Sequence, residues 1–129
     1  MNKITYLLIF VLLGCFSCNS DDEDDTIEVT NNDAGLTVKN RSTSFNDTYS
    51  SVKQQVTAKG YNIVAEVDHS AAAAGVGMSI DSTKVIIFGN PMGGTVLMQQ
   101  DQRLGIELPL KMLVRADEDG TIKTAFYNA

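Results

Sequence analysis

Residues 44–68 read SFNDTYSSVKQQVTAKGYNIVAEVD, and a change of period inside this stretch decides the fold. Phe45, Tyr49, Val52 and Val56 recur at intervals of four, three and four residues. That spacing places them on one stripe of an α-helix. Ser44 offers an N-cap with Asp47 three residues on, in a capping-box arrangement, and Gly60 stands where a helix wants a left-handed C′ residue. Valine and Thr57 are only fair helix formers, so packing of the stripe must hold this helix. From Tyr61 the period falls to two: Tyr61, Ile63, Ala65 and Val67 alternate with Asn62, Val64, Glu66 and Asp68. A helix that runs straight into a half-buried strand predicts an α+β domain.

The flanks extend this pattern. Leu36 and Val38 lie two apart, as in a strand before the helix. After Asp68, His69 to Ala74 is rich in alanine but short, which predicts one or two helical turns ended by Gly75 or Gly77. Val85-Ile86-Ile87-Phe88 is a continuous apolar run of the kind found in central strands, and Gly89-Asn90-Pro91 breaks it. Thr95 to Gln100 reads as a short helix with Val96, Leu97 and Met98 on its inner side. Leu108, Leu110, Met112 and Val114 alternate, as do Ile122, Thr124 and Phe126. Asp117-Glu118-Asp119-Gly120 between them signals a hairpin. Pro109 belongs at a strand start or edge. The expected core is Phe45, Tyr49, Val52 and Val56 against Ile63, Ile87, Leu110, Val114 and Phe126.

The N-terminus has a different character. Lys3 precedes an almost unbroken apolar run from Ile4 to Leu13, followed by Cys15 and Cys18. The run is too short for a hydrocarbon core of ~30 Å, so it reads as a secretory signal. A cysteine at its end resembles a bacterial lipobox. Leu12-Leu13-Gly14-Cys15 fits the positions before the thiol better. Phe16-Ser17-Cys18 leads directly into Asn19-Ser20-Asp21-Asp22-Glu23-Asp24-Asp25, which is similar to the surface-export signal of certain Gram-negative lipoproteins. Cys18 is therefore favoured as the lipidated residue, with Cys15 the alternative. A disulfide between the two, or removal of both, are the plainer readings. The expected organisation is a signal peptide over 1–17, a lipid anchor and acidic disordered tether over 18–33, and one domain over 34–129. The expected location is the cell envelope, lipid-anchored at the outer membrane, with the acidic run directing surface display.

Charge supports that division. Residues 19–33 hold seven of the 16 acids and no base. Apart from Lys3, the remaining nine Lys and Arg and nine Asp and Glu all fall from Ala34 onward, so the domain is formally neutral. A nucleic-acid partner is not expected, because that surface needs clustered cations.

The ordered series Gly60-Tyr61, Asp68-His69, Ala73, Ile87-Phe88-Gly89-Asn90-Pro91, Gly94-Thr95, Leu97-Met98-Gln99, Leu108-Pro109-Leu110 and Asp117-Glu118-Asp119-Gly120 resembles the domain-of-unknown-function 302 family. The likeness spans about Leu36 to Tyr127, and Phe-Gly-Asn-Pro is its most specific motif. It implies a compact α+β fold similar to the TBP-like β-α-β4-α arrangement, with one curved, mostly antiparallel sheet. Family members continue into a C-terminal helix, whereas this chain stops at Tyr127-Asn128-Ala129. The expectation is one sheet face left uncovered unless a neighbouring subunit, as in a homo-oligomer, or another partner covers it. The resemblance implies no activity.

Chemistry-bearing residues are few. His69 is the sole histidine and follows Glu66 and Asp68 at a strand end. Without a second His or a mature Cys, no metal is expected. Asn90 can donate and accept from its turn, or simply cap the next helix while Pro91 fixes φ. Gly93-Gly94-Thr95 could offer backbone N–H groups to an anion. Met92, Met98 and Met112 form no Met-x-x-Met cluster and read as core filler. No G-x-S-x-G, G-x-G-x-x-G or Gly-Lys-Ser/Thr motif occurs, so no cofactor is expected. The working function is binding of a small ligand or protein partner, with His69, Asn90, Glu66 and Asp68 as candidate site residues. The alternatives are an enzyme using His69 as general acid or base, and a structural, oligomer-forming module.

Overall fold

The computed structural model describes residues 30–31 and 35–127. The signal segment, Cys15, Cys18 and the acidic run Asp21 to Asp25 lie outside the described residues. In chain order the elements are β1 (Thr30–Asn31), β2 (Leu36–Arg41), α1 (Phe45–Ala58), β3 (Asn62–Asp68), α2 (His69–Gly75), β4 (Thr83–Gly89), α3 (Pro91–Gln100), a 3₁₀ helix (Gln102–Glu107), β5 (Leu110–Ala116) and β6 (Ile122–Tyr127). The strands form one sheet in the order β1-β2-β6-β5-β4-β3, antiparallel at every pair. Without the two-residue β1 and the helical insertions α2 and α3, this is the β-α-β4 arrangement that the resemblance implied.

The local signals act as read. Ser44 is extended, and its hydroxyl accepts from the Asp47 N–H at 3.2 Å while donating to the Asp47 carboxylate at 2.6 Å. At the other end Gly60 has φ 80°, with Tyr61 N–H donating to Val56 C=O and Gly60 N–H to Thr57 C=O. Those two bonds close the helix as a Schellman motif, which needs the left-handed glycine. Gly120, at φ 82°, does the equivalent work in the β5–β6 hairpin, where its N–H reaches Asp117 C=O at 2.8 Å.

α1 lies on one sheet face. Val52, Val56, Ile86, Phe88, Val114 and Ile122 make the buried cluster, edged by Phe45, Tyr49, Tyr61, Ile63, Met112 and Ala116. The expected core needs correction on β4. Ile86 is fully buried and pairs with Met112, whereas Ile87 pairs with Lys111 on the opposite face and is only half-buried. Four consecutive apolar residues carry no alternation, so their parity could not be read. Leu110 is 38 % exposed at the strand start, and Phe126 is half-buried beyond the cluster. The other face carries an in-register row, Val38–Ala125–Leu113–Val85–Val67, with Ala125 buried and the rest half-buried.

β3 also departs from simple alternation. Its register against β4 shifts between Ile63 and Ala65, a bulge centred on Val64. A one-residue bulge inverts the face of everything that follows it. Glu66 and Asp68 therefore share the α1 face with Ile63, and Val64 is left 63 % exposed. The helix expected over Thr95 to Gln100 starts earlier, at Pro91 after an Asn90 cap, and Val96 and Leu97, expected on its inner side, are exposed.

Candidate functional site

β3 separates the residues expected to share a site. Asn90 lies at its Asn62 end, where Asn62 pairs with Gly89 and the Asn90 amide reaches Gly60. His69 follows Asp68 at the far end, six residues along a strand that rises ~3.3 Å per residue, so about 20 Å away. His69 is exposed at the start of α2 and lines neither of the clefts described below.

Its neighbours are engaged elsewhere. The Asp68 carboxylate caps α2 by accepting from Ala71 N–H at 2.8 Å and from the Ser70 hydroxyl at 2.9 Å, and it pairs with Lys84 at 3.2 Å. Those bonds, the Ala71 N–H first, hold its carboxyl below the usual range. Glu66 accepts from Lys53 at 2.7 Å and from the Tyr49 hydroxyl, and the same bonds lower its pKa. Burial and the bond to Glu66 push the Tyr49 phenol up. Lys53 and Lys84 also stand over the Tyr49 ring, at 5.8 and 5.2 Å. This network fastens α1 to β3, with every charge matched by an opposite one.

Asn90 is likewise occupied. Its Oδ1 accepts from Met92 N–H at 3.0 Å and Gly93 N–H at 3.4 Å, while Nδ2 donates to Gly60 C=O at 3.3 Å. Gly94 N–H goes to Asn90 C=O at 2.9 Å, so the N–H groups offered to an anion are already satisfied. Loss of an N-cap side chain costs about 0.5–2 kcal/mol. Asn90→Ala is therefore expected to destabilise by about 1–2 kcal/mol in urea unfolding, and Asn90→Ser, which still caps, by less than about 0.5 kcal/mol. Equal losses would show that the bond to Gly60, not the cap, is what matters.

The arrangement that alternation could not reveal is an arm. α3 packs against the 3₁₀ helix and buries none of its residues, leaving Met92 79 %, Val96 51 %, Leu97 46 % and Ile106 84 % exposed. Two clefts open where the arm meets the sheet. One, of ≈ 560 Å³, lies between Val64 of β3 and Thr95 and Met98 of α3, with Leu108 and Pro109 beside it. The other, of ≈ 470 Å³, is bounded by Tyr61, Val96, Leu97, Leu108 and Leu110. Gly89, Asn90, Gly94 and Leu108 border both. The available sequence signal was a stretch, 91–110, with only three charged residues, Asp101, Arg103 and Glu107. Asp101 and Arg103 pair with each other at 2.7 Å. Among the described residues no group of three or more His, Cys, Asp or Glu is placed to hold a metal ion.

A family model described as "Domain of unknown function DUF302" matches residues 36–129. The chain belongs to this family. A crystal structure of an uncharacterized conserved DUF302 protein from Bacillus stearothermophilus has the same fold, with a TM-score of 0.66 and 17 % identity, over 71 % of this chain and 72 % of that one. Curated relatives include "Fluoride-specific ion channel FluC 1" of Brucella suis and of Brucella abortus, each 37 % identical over 90 residues. These matches cover 70 % of this chain but 35 % and 33 % of the relatives, so the DUF302 chain spans about a third of their length. No helix among the described residues is long and apolar enough to cross a membrane.

Proposed function

We propose that this DUF302 protein is an envelope lipoprotein, anchored through Cys18, whose domain binds a small ligand in the clefts beneath the α3 arm. The cleft of ≈ 560 Å³ carries the reading, because it falls within the ~300–1,000 Å³ of ligand sites and is walled mainly by apolar groups. Of His69, Asn90, Glu66 and Asp68, Asn90 belongs to this site as the residue that shapes its rim. Glu66 and Asp68 tie α1 and α2 to the sheet. His69 lies outside these clefts, and the neighbouring carboxylates of Glu66 and Asp68 are engaged by other partners rather than orienting it, which general acid–base work needs. The relatives named as channels support a place beside a membrane, since they carry a matching third within a longer chain.

Filling the clefts tests the reading. A Cβ added at Gly93 meets nothing within 4 Å, and replacing glycine inside a helix raises helix propensity, so Gly93→Leu narrows one cleft without harming the fold. Thr95→Phe narrows the other from an exposed position. Wild-type protein is expected to bind the neutral dye Nile red. The double variant should bind it at least about tenfold more weakly, a difference of ~1.4 kcal/mol, with its unfolding midpoint retained. Unchanged dye binding by the filled variant would remove the clefts as the site.

A further inference from the structure

We infer that the sheet face opposite α1 is an interaction surface whose occupant is the chain's own acidic segment, residues 19–28. An antiparallel sheet that leaves one face to water makes that face polar. Here the middle rung, Val38–Ala125–Leu113–Val85–Val67, is apolar across five strands. Neighbours within the central strands show what is missing. Ile86 and Val114, under α1, are 0 % exposed, whereas Val85 and Leu113, one residue away on the other face, are only half-buried. The difference is a covering layer.

Charge selects the occupant. Lys111, Arg115 and Lys123 lie on this face, since each stands next to a residue of the α1 side: Met112, Val114 and Ile122. No Asp or Glu occupies a strand position of the same face. Asp117, just past β5, pairs with both Arg115 and Lys123, one carboxylate for two cations. Lys111 is exposed and makes no ion pair among the described residues. Two copies set face to face would oppose these cations, which counts against a second copy. The complement lies in the same chain, where residues 19–28 hold six acids and no base.

Connection and reach agree. β1 pairs antiparallel with β2, Thr30 opposite Val38 and Asn31 opposite Thr37, so the N-terminal end of β1 points towards the Arg41 end of β2. At that end Asn40 pairs with Lys123, and Lys123 with Arg115. Strands lie about 4.8 Å apart, which puts Lys123 about 10 Å and Arg115 about 14 Å across the sheet from β1. Asp25 precedes Thr30 by five residues, a reach of up to about 17 Å, and Asp21 by nine, about 30 Å. The acids therefore meet the cations without strain, and the segment shields the apolar rung from other chains.

Carbodiimide, which joins a carboxylate to an amine in direct contact, tests the placement. The full chain in neutral detergent, an equal mixture of ¹⁴N and ¹⁵N protein, would be crosslinked, digested and analysed by mass. Peptides holding Asp21 to Glu28 are expected to join Lys111 and Lys123 at least about fivefold more often than Lys53 and Lys59 of α1, with the yield falling at least about threefold in 0.5 M salt. The joined peptides should carry one isotope. Links between light and heavy peptides would make a second copy the occupant and overturn the proposal, as would links spread evenly over the lysines. Replacing the six acids with Asn and Gln gives a second readout. The Leu113 methyl resonances should shift, while those of Val114, enclosed under α1, stay in place. A Leu113 signal unmoved by that change overturns the cover, whatever the crosslinks.

Discussion

Ile86→Ala is expected to lower stability by about 2–5 kcal/mol, a large share of the 5–15 kcal/mol that holds a small domain together. Ile86 is fully enclosed by the strip that α1 lays across β4, β5 and β6, so truncation leaves a cavity rather than a surface. Its neighbour gives the control. Ile87 has the same chemistry but points to the opposite, half-buried face, and Ile87→Ala should cost about 1–2 kcal/mol. Urea unfolding of both variants, with unchanged slope, measures the difference as a shift in midpoint. Since 1 kcal/mol moves Tm by about 4–8 °C at this size, the Ile86 variant should melt at least ~8 °C lower. A larger loss at Ile87 than at Ile86 would mean that the parity of β4 is inverted.

That pair of residues also marks where sequence reading stops. α1 was legible because its stripe, its cap and its terminating glycine all agree, and tertiary packing had only to accept the face already specified. β5 and β6 were legible for the same reason: alternation, then Asp-Gly, then alternation. In β4 the apolar run removed the one cue that assigns a face. In β3 the bulge at Val64 reversed a face that alternation had assigned clearly, and no turn residue announces it. Nothing in the sequence measures the distance from His69 to Asn90, and the β3–β4 ladder sets them at opposite ends of β3. Proximity across a sheet is set by register, and here the register puts a whole strand between them. Asn90 was half legible: its capping role follows from the Pro91 that comes after it, but its place at the rim of two clefts depends on how α3 is hung from β4. The clefts themselves were unreadable, because Leu108 and Leu97 look like inward-facing residues until the arm is seen to leave them beside the clefts.

If Cys18 carries the proposed acyl anchor, its removal is the single-thiol change with the largest expected effect. Cys18→Ala should bring acyl incorporation, measured by metabolic palmitate labelling, down to background and move the mature chain into the soluble fraction. Cys15→Ala should leave both unchanged. The size of the effect follows from hydrocarbon burial. Each methylene transferred from water contributes ~0.8 kcal/mol, and one myristoyl-length chain gives only marginal, reversible binding. A lipidated lipoprotein cysteine carries more than one chain, and the gains multiply as partition constants, so the anchor passes from reversible to effectively permanent. Charge does not replace it: the domain is formally neutral, with nine acids and nine bases from Ala34 on, and the acidic run of Asp21 to Asp25 is repelled by anionic head groups. The label decides the matter where fractionation alone does not, because an uncleaved apolar run from Ile4 to Leu13 would hold unprocessed chain at a membrane without any acyl group. Label lost in Cys15→Ala and kept in Cys18→Ala would move the anchor three residues towards the N-terminus. Label kept in both single variants and lost only when both thiols are gone would mean that the two cysteines substitute for one another.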